Sequence, residues 1–216
     1  MGTRNLTMVI DRKGEIKVAQ YGQWDGYPAG QGATILEFAK DKEKMAKLEK
    51  ELENVKFWNK CDDIKQYIED YDKKAPEWSN DPDNRTFEDK YWWDATQSRD
   101  LGGEILDNII NIDKIALPKE HNGIIYLRDE SKFGKDSSFC EWAYCINLKT
   151  NKLECFTGFN KDKTQEHERF ATTDEEVEKE FEGFDFRYYG IKLIKEYDLD
   201  NLPTKDDFVE ELEKGE

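Results

Sequence analysis

The stretch that decides the fold is FCEWAYCINL at residues 139–148, because its side chains are apolar on both alternating faces. The larger groups lie on one face and the smaller ones on the other: Trp142, Tyr144, Ile146 and Leu148, against Ala143 and Cys145. A strand that is covered on both sides lies in the centre of a sheet, with helices or another layer above and below it. We therefore predict a central strand here.

A second strand, KLECFTGF at residues 152–159, follows directly and should pair with the first. The tight turn at residues 150–151 predicts a β-hairpin. In that register Cys155 lies opposite Ile146, so a disulfide between Cys145 and Cys155 is not expected.

The cysteines contain no CxxC pair, and they predict free, buried thiols in a reducing compartment. They are Cys61, Cys140, Cys145 and Cys155. The two histidines, His121 and His167, do not stand at zinc-finger spacing from a cysteine pair, and both lie among charged residues. We expect no metal, no cofactor and no serine or cysteine triad, and we interpret both histidines as surface side chains.

The remaining strands and helices do not alternate strictly. Strands are predicted at residues 5–10, 15–21, 123–129 and 187–197, and helices at 173–183 and 204–214. The first two strands form a hairpin around DRKG, in which Gly14 can take a positive φ. This order predicts an α+β fold: a single domain over residues 1–216, with an antiparallel-rich central sheet and flanking helices.

An inserted helical arm or helical hairpin is expected over residues 34–73, and packing against the domain's own sheet is the favoured arrangement. Thr34 and Glu37 open it as a capping box, and a second periodic apolar run begins at Phe57. A long aromatic-rich connection follows over residues 75–98. Its large rings are Trp78, Tyr91, Trp92 and Trp93, which form either a partner-binding cluster or the cover of a small core.

Two further helix starts follow from capping residues. Asp100 is expected to cap a short helix that runs to about Ile112. Thr173 and Glu176 have the spacing of a capping box at the start of the helix over 173–183.

The charge balance limits the possible partners. The chain has 49 acidic and 33 basic residues, for a net charge of −16. Such a surface repels nucleic acid and anionic lipid, but it can occupy a basic groove of another protein. No apolar run reaches the length of about 18 residues that a membrane span needs, and the N-terminus lacks a signal-peptide core. We predict a cytoplasmic protein with a protein partner, no direct nucleic-acid contact and no membrane.

The segment YGQWDGYPAGQG at residues 21–32 is the main candidate site. As a binding site, it offers Trp24 and Tyr27 as flat surfaces for a base, a sugar or a side chain, with Gln23 and Asp25 as polar contacts. As a structural corner, Trp24 closes the end of the sheet and Asp25 holds nearby amides. The spacing is not that of a dinucleotide-binding GxGxxG motif. Both interpretations stay open.

Three arginines could add an anion pocket to this segment if the fold brings them together. They are Arg4, Arg99 and Arg128. For Arg99 the alternative is an ion pair with Asp100 at the start of a helix. A small anionic ligand is therefore a possible partner.

Four stretches together resemble a family of uncharacterised proteins from bacteria, bacteriophages and some fungi. They are MGTRNLT, AQYGQWDGYPAGQG, RDLGGEILDNI and FCEWAYCINLKTNKLECF, and they cover about a third of the chain between residues 1 and 159. The QWDGYP motif is the most specific of them. The resemblance implies family membership and no particular activity.

The layout of the N-terminus is similar to that of N-terminal-nucleophile amidases. Those enzymes begin, after removal of Met, with a Cys, Ser or Thr whose own amine is the base. Here Gly2 follows Met1, and Thr3 becomes terminal only if Gly2 is also removed. The amidase interpretation therefore departs from the pattern at the nucleophile itself.

These observations favour binding over catalysis. We expect an acidic protein-interaction module of phage or mobile-element type in the host cytoplasm, which binds a host protein and inhibits a defence or nucleic-acid-processing factor. The alternatives are an N-terminal-nucleophile-like amide hydrolase and a binder of a small nucleotide-like ligand at the QWDGYP segment. The sequence does not decide whether the protein is an enzyme.

Overall fold

The computed structural model describes residues 2–61, 65–66, 94–111 and 123–214, and it is built on a five-stranded sheet. The strands are β1 (Asn5–Ile10), β2 (Ile16–Gly22), β3 (Val55–Phe57), β4 (Ile125–Leu127), β5 (Trp142–Asn147), β6 (Lys152–Thr157) and β7 (Lys192–Asp198). The main sheet has the order β2-β1-β5-β6-β7, with β1 and β5 parallel and its other neighbours antiparallel. β3 and β4 form a separate parallel pair.

The helices lie between and after these strands. They are α1 (Ala33–Lys40), α2 (Lys42–Glu51), α3 (Ile105–Ile110), α4 (Asp174–Glu180) and α5 (Lys205–Glu213). Short 3₁₀ turns occupy Leu52–Asn54, Trp58–Lys60, Gly102–Glu104 and Ser131–Lys135, and a π-helical turn occupies Pro28–Gly32. The predicted fold class, a single α+β domain with an antiparallel-rich sheet, is confirmed.

β5 is the central strand that the sequence predicts, because every one of its residues is buried. Its face with Trp142, Tyr144 and Ile146 packs in one core with apolar residues of α1, α2, α3 and α5. Its opposite face, with Ala143 and Cys145, packs in a second core that lies against loop residues. Both alternating faces of this strand are therefore covered, as predicted.

The hairpin of β5 and β6 forms, but its register differs from the prediction by two residues. Asn147 pairs with Lys152, and Cys155 therefore faces Tyr144 rather than Ile146. The turn is longer than expected because the side-chain oxygen of Asn147 accepts the amide hydrogens of two turn residues, each at 3.2 Å. The four cysteines are free.

Three local predictions are confirmed at the ends of elements. Gly14 takes φ 92° in the turn between β1 and β2. Thr173 and Glu176 form both hydrogen bonds of a capping box at the start of α4. α5 begins after Thr204, whose side chain accepts the amide hydrogen of Asp207.

The predicted arm or hairpin is not helical throughout its described part. α1 ends at Asp41, whose extended backbone breaks the helix and whose carboxylate caps α2. After α2 the chain forms β3, so Phe57 lies in a strand and pairs with Leu127. The buried side chains of Ile35 and Leu48 hold both helices against the main core, so the two helices pack on the domain as expected.

Thr34 and Glu37 do not form the expected capping box. The π-helical turn at Pro28–Gly32 leads directly into α1, which begins at Ala33. Thr34 therefore already lies inside the helix, and its hydroxyl donates to the carbonyl of Gly30 at 3.3 Å.

Parts of the predicted arm and connection, residues 62–64, 67–73 and 75–93, lie outside the described residues, as do Ile112 and His121. No helix in the described ranges is long and apolar enough to cross a membrane. The described residues also contain no group of three His, Cys, Asp or Glu side chains placed to hold a metal ion.

Candidate binding surface at one end of the sheet

One end of the main sheet is marked by a row of paired residues that runs across all five strands. They are Gly22, Asn5, Trp142, Thr157 and Lys192. We call this the sheet end. Because β1, β5 and β7 start here while β2 and β6 finish here, five segments that are distant in sequence emerge side by side. This arrangement brings part of the glycine-rich segment, residues 21–32, next to residues near 4, 140, 159 and 190.

Hydrogen bonds fix the backbone of the glycine-rich segment to the sheet. The amide of Gly26 donates to the carbonyl of Thr3 at 2.9 Å, and the hydroxyl of Tyr144 donates to the carbonyl of Gly26 at 2.9 Å. At Gly32 a Cβ atom would lie 2.8 Å from the Tyr144 ring, so glycine permits the close approach. Asp25 takes φ 55°, a region that Asp tolerates better than most residues. The segment is thus a rigid corner.

The aromatic side chains of this corner point outward, which the structural interpretation did not predict. Trp24 is 50% exposed, and its indole donates to the carboxylate of Asp100 at 3.0 Å. Tyr27 is also exposed, and its hydroxyl donates to Asp25 at 3.3 Å. The negative charge of Asp25 raises the pKa of Tyr27. Trp24 therefore does not close the sheet end, because half of its side chain remains exposed.

Asp100 consequently has a different role from the one expected. It does not cap α3, which begins at Ile105 after the 3₁₀ turn Gly102–Glu104. Its carboxylate instead orients the indole of Trp24. The contact joins two positions 76 residues apart, so the local sequence around Asp100 cannot reveal it.

The three candidate arginines have separate partners and do not combine into the predicted anion pocket. Arg4 forms an ion pair with Glu141 at 3.3 Å. Arg99 donates to the side-chain oxygen of Gln23 and lies 5.7 Å from the centre of the Tyr21 ring. Arg128 pairs with Glu130 and lies over Trp58, in the region of the second sheet.

Two buried polar atoms beneath the corner have no hydrogen-bond partner among the described residues. They are the side-chain oxygens of Asn5 and Thr7, on consecutive positions of the same face of β1. The side-chain nitrogen of Asn5 donates to the carbonyl of Trp24 at 3.3 Å. A buried polar atom without a partner is costly, and an ordered water molecule is its ordinary solution.

Exposed aromatic side chains concentrate at the sheet end. Among the residues that the structure describes, the large apolar side chains that are 40 to 55% exposed are Trp24, Tyr27, Phe139, Phe159, Phe184, Phe186 and Leu193. The first four lie within five residues of a strand end at this edge, and Leu193 is the second residue of β7. Phe184 and Phe186 reach it through ring contacts. An exposed apolar surface of this kind commonly marks an interaction site.

The rings near β7 form a connected aromatic cluster, which we define as Phe159, Phe181, Phe184, Phe186 and Tyr188. Ring centroids lie 5.8 Å apart for Phe159 and Tyr188, 5.5 Å for Phe186 and Tyr188, and 5.2 Å for Phe184 and Phe186. Phe181 is buried beneath the others and contacts both Phe186 and Tyr188.

Phe159 adopts an unusual backbone conformation, with φ 50°. A bulky side chain in this left-handed region is uncommon, and the conformation costs about 1–2 kcal/mol. The backbone is held there because the amide of Phe159 donates to the carbonyl of Ser137 at 2.7 Å, and the amide of Gly158 donates to Glu141 at 2.8 Å. The surrounding loop thus forces an exposed aromatic ring into this position.

The sequence interpretation did not single out the aromatic cluster. A signal exists in FEGFDFRYY at residues 181–189, where aromatic residues alternate with charged ones outside any helical or strand pattern. In the structure Phe184 and Phe186 are exposed.

The described residues offer little for catalysis. Burial raises the pKa of the thiols of Cys140, Cys145 and Cys155, so none of the three is an activated nucleophile. His167 lies at the rim of a cavity of about 250 Å³ beside the buried ion pair of Glu154 and Arg169. Glu154 is already paired, and it also accepts a hydrogen bond from Asn147. The arrangement fastens a loop to the sheet.

Comparison of the chain with protein-family models, with curated proteins and with solved structures gives no match.

Proposed function

We propose that this protein is a binding module that engages another protein through the sheet end. The observation that carries the proposal is the concentration of half-exposed aromatic side chains at this one edge of the sheet. Protein interfaces are enriched in Trp, Tyr and Phe, and such anchors contribute most when the backbone that presents them is preorganised. Both conditions are met at Trp24 and at Phe159, which sit on backbone held by hydrogen bonds.

A small anionic ligand receives less support at the glycine-rich segment. The cavity there, about 410 Å³, is lined by the carboxylates of Asp25, Glu37 and Glu104 and by a single cation, Lys205. An anionic ligand would be repelled by this lining. Trp24 does not line the cavity, so the expected stacking surface is missing from it.

An amide hydrolase of the N-terminal-nucleophile type also receives less support. The Thr3 carbonyl is held by the amide of Gly26, and the preceding Gly2 packs so closely on Trp24 that a Cβ atom would lie 2.2 Å from the indole.

The partner is expected to be basic, because the chain carries a net charge of −16. Electrostatic attraction of this kind speeds association and selects partners of opposite charge. The partner's identity remains a prediction. The sequence predicts a host factor of a defence or nucleic-acid-processing system in the cytoplasm.

The proposal is tested by site-specific photo-crosslinking in cell lysate. The photoreactive residue p-benzoylphenylalanine replaces Phe139 or Phe186 at the sheet end. In the control variant it replaces Lys13, which is exposed in the turn at the opposite end of the sheet. We expect one common protein to be crosslinked from both sheet-end positions and not from Lys13.

A companion variant, Trp24→Ala/Asp25→Ala, checks the contribution of the glycine-rich segment once circular dichroism has shown that it folds. Capture of the crosslinked protein should fall in this variant. Crosslinking from Lys13 alone, or from no position at low salt, contradicts the proposal.

A further inference from the structure

The aromatic cluster lies in an acidic part of the described surface. Residues 174–189 contain seven carboxylates and only two basic side chains, Lys179 and Arg187. Most of this segment is exposed. Aromatic faces and negative charge therefore occupy the same stretch of surface, which is the combination that attracts an organic cation.

Several of these carboxylates have no ion-pair partner in the described residues. Three others are paired, Asp174 with Lys163, Glu176 with Lys135 and Glu178 with Arg187. The unpaired ones next to the rings are Glu180, Glu182 and Asp185, each of which is exposed. Within the part of the chain that the structure describes, this negative charge is not neutralised by an ion pair.

Glu180 adjoins the cluster. Partial desolvation raises the pKa of its carboxyl, and the negative charge of Asp136 raises it further. A cation placed beside Glu180 would lower the energy of its charged form.

The chain already pairs a cation with an aromatic ring and a carboxylate at the same sheet end. The guanidinium of Arg4 lies 4.7 Å from the centre of the Phe139 ring, and it forms an ion pair with Glu141. Within the cluster, Arg187 pairs with Glu178 and donates to the backbone carbonyl of Phe186 at 2.9 Å. Arg187 therefore holds the loop in place, and the outward ring faces of Phe184 and Phe186 remain exposed.

We infer that the aromatic cluster is the docking site for a basic polypeptide segment, whose Arg or Lys side chains lie over Phe184 and Phe186 and beside Glu182 and Asp185. This inference rests on the proposed binding function and assigns the partner's chemistry to one part of the sheet end. The occupant is a positively charged chain because a cation gains both from the ring faces and from the unpaired carboxylates.

Other occupants fit this surface less well. A second copy of the chain would bring the same unpaired carboxylates against Glu182 and Asp185, and like charges repel. An anionic lipid surface would be repelled for the same reason. A basic segment of another protein is the partner that both features favour.

The inference is tested by fluorescence anisotropy with a labelled peptide of alternating Gly and Arg, about twelve residues long so that it spans roughly 40 Å when extended. A peptide of alternating Gly and Glu is the negative probe. Three variants are compared with the wild type: Phe184→Ser/Phe186→Ser, Glu182→Gln/Asp185→Asn, and the matched control Glu43→Gln/Glu53→Gln. The control removes the same charge from exposed positions on and after α2.

We expect the arginine peptide to bind the wild type and the acidic peptide not to bind. The aromatic double variant should weaken binding at least about tenfold, and the Glu182→Gln/Asp185→Asn variant severalfold, while the control stays within about twofold. Sedimentation velocity should show that the free protein remains monomeric at the concentrations used.

Three results overturn the inference: no binding of the arginine peptide to the wild type, equal weakening by the control variant, or self-association that the aromatic variant abolishes. The aromatic variant must keep the wild-type circular dichroism spectrum, which shows that it folds. Phe139→Ser serves as a further control. It removes an exposed ring outside the cluster and should retain peptide binding. If the peptide fails to bind while the sheet-end crosslinks persist, this inference fails and the proposed function stands.

Discussion

The hydroxyl of Tyr144 lies 2.9 Å from the carbonyl oxygen of Gly26 and donates a buried hydrogen bond to it. Tyr144 belongs to the central strand β5, and Gly26 belongs to the glycine-rich segment, 118 residues earlier in the chain. This bond connects the best-buried part of the sheet to the corner that presents Trp24 and Tyr27. The position of those two rings therefore depends on the core.

We predict that Tyr144→Phe lowers the free energy of unfolding by about 1–2 kcal/mol, because it leaves the buried carbonyl of Gly26 without this donor. Urea unfolding followed by circular dichroism measures the change. The control is Tyr189→Phe, which removes a hydroxyl that donates to Asp174 at the surface and should cost less than about 0.5 kcal/mol. An equal loss of unfolding free energy in the two variants would show that the bond to Gly26 contributes no more than a hydrogen bond at the surface.

Phe159 should be replaceable without loss of stability. In Phe159→Asn the lost ring contact with Tyr188 is offset by relief at a backbone position, φ 50°, that Asn adopts more easily than Phe. We expect the free energy of unfolding to change by less than about 1 kcal/mol.

The control is Phe156→Ala, three positions earlier in the chain on β6, where the ring is packed in the second core. Phe156 is buried and meets Phe170 edge-on, with ring centroids 5.2 Å apart. Its removal should cost about 3–5 kcal/mol. Thermal or urea unfolding of both variants decides the matter: a comparable loss at Phe159 would mean that its ring serves stability rather than recognition.

Thiol reactivity should differ sharply among the four cysteines. Cys140, Cys145 and Cys155 are buried, and burial raises the pKa of each. Cys61 is partly exposed. Ellman's reagent should therefore label one thiol quickly in the folded protein and all four in urea, and Cys61→Ser should abolish the fast phase. Fast labelling of the Cys61→Ser variant would contradict the placement of the other three.

The stability contribution of Asp129 should depend on pH. Burial acts to raise the pKa of Asp129, but hydrogen bonds from Lys60 and from Ser131 outweigh it, so the pKa lies below its ordinary value. The carboxylate therefore stabilises the fold above the unfolded-state pKa of about 4, and this stabilisation is lost as the pH falls through the lower folded-state value.

Asp129→Asn should accordingly lower the free energy of unfolding by about 1–2 kcal/mol at pH 7, and by less at pH 3. Urea unfolding at the two pH values measures both differences. Asp162→Asn serves as the control, because that carboxylate pairs with Lys192 at the exposed surface and should contribute less. If the difference in unfolding free energy between the wild type and Asp129→Asn is as large at pH 3 as at pH 7, the charge of Asp129 does not provide the stabilisation.

Features encoded by neighbouring residues could be predicted from the sequence. The two apolar faces of β5, the turn at Gly14 and the capping box of Thr173 and Glu176 each depend on residues within a few positions of one another. Local conformational preferences and burial point to the same structure at these places, and the predictions there are confirmed.

Features that depend on distant contacts could not be predicted in this way. Phe57 has a spacing that fits a helix, but pairing with Leu127 places it in a strand, because a tertiary contact outweighs weak helical preference. Asp100 is of a residue type that commonly caps helices, but its carboxylate accepts a hydrogen bond from the indole of Trp24 instead. At the candidate site the sequence identified the corner, whereas the exposure of its rings follows from the fold.

The parallel pairing of β1 with β5 has a consequence for how the protein folds during synthesis. Asn5 pairs with Trp142, and the neighbouring contact of Arg4 with Glu141 spans 137 positions. The ribosome must therefore release most of the chain before the N-terminal hairpin gains its second neighbour. Until then the inner edge of β1 is unpaired, and such edges promote aggregation. We expect slow folding, limited by closure of this long loop, and a nascent chain that depends on chaperone protection.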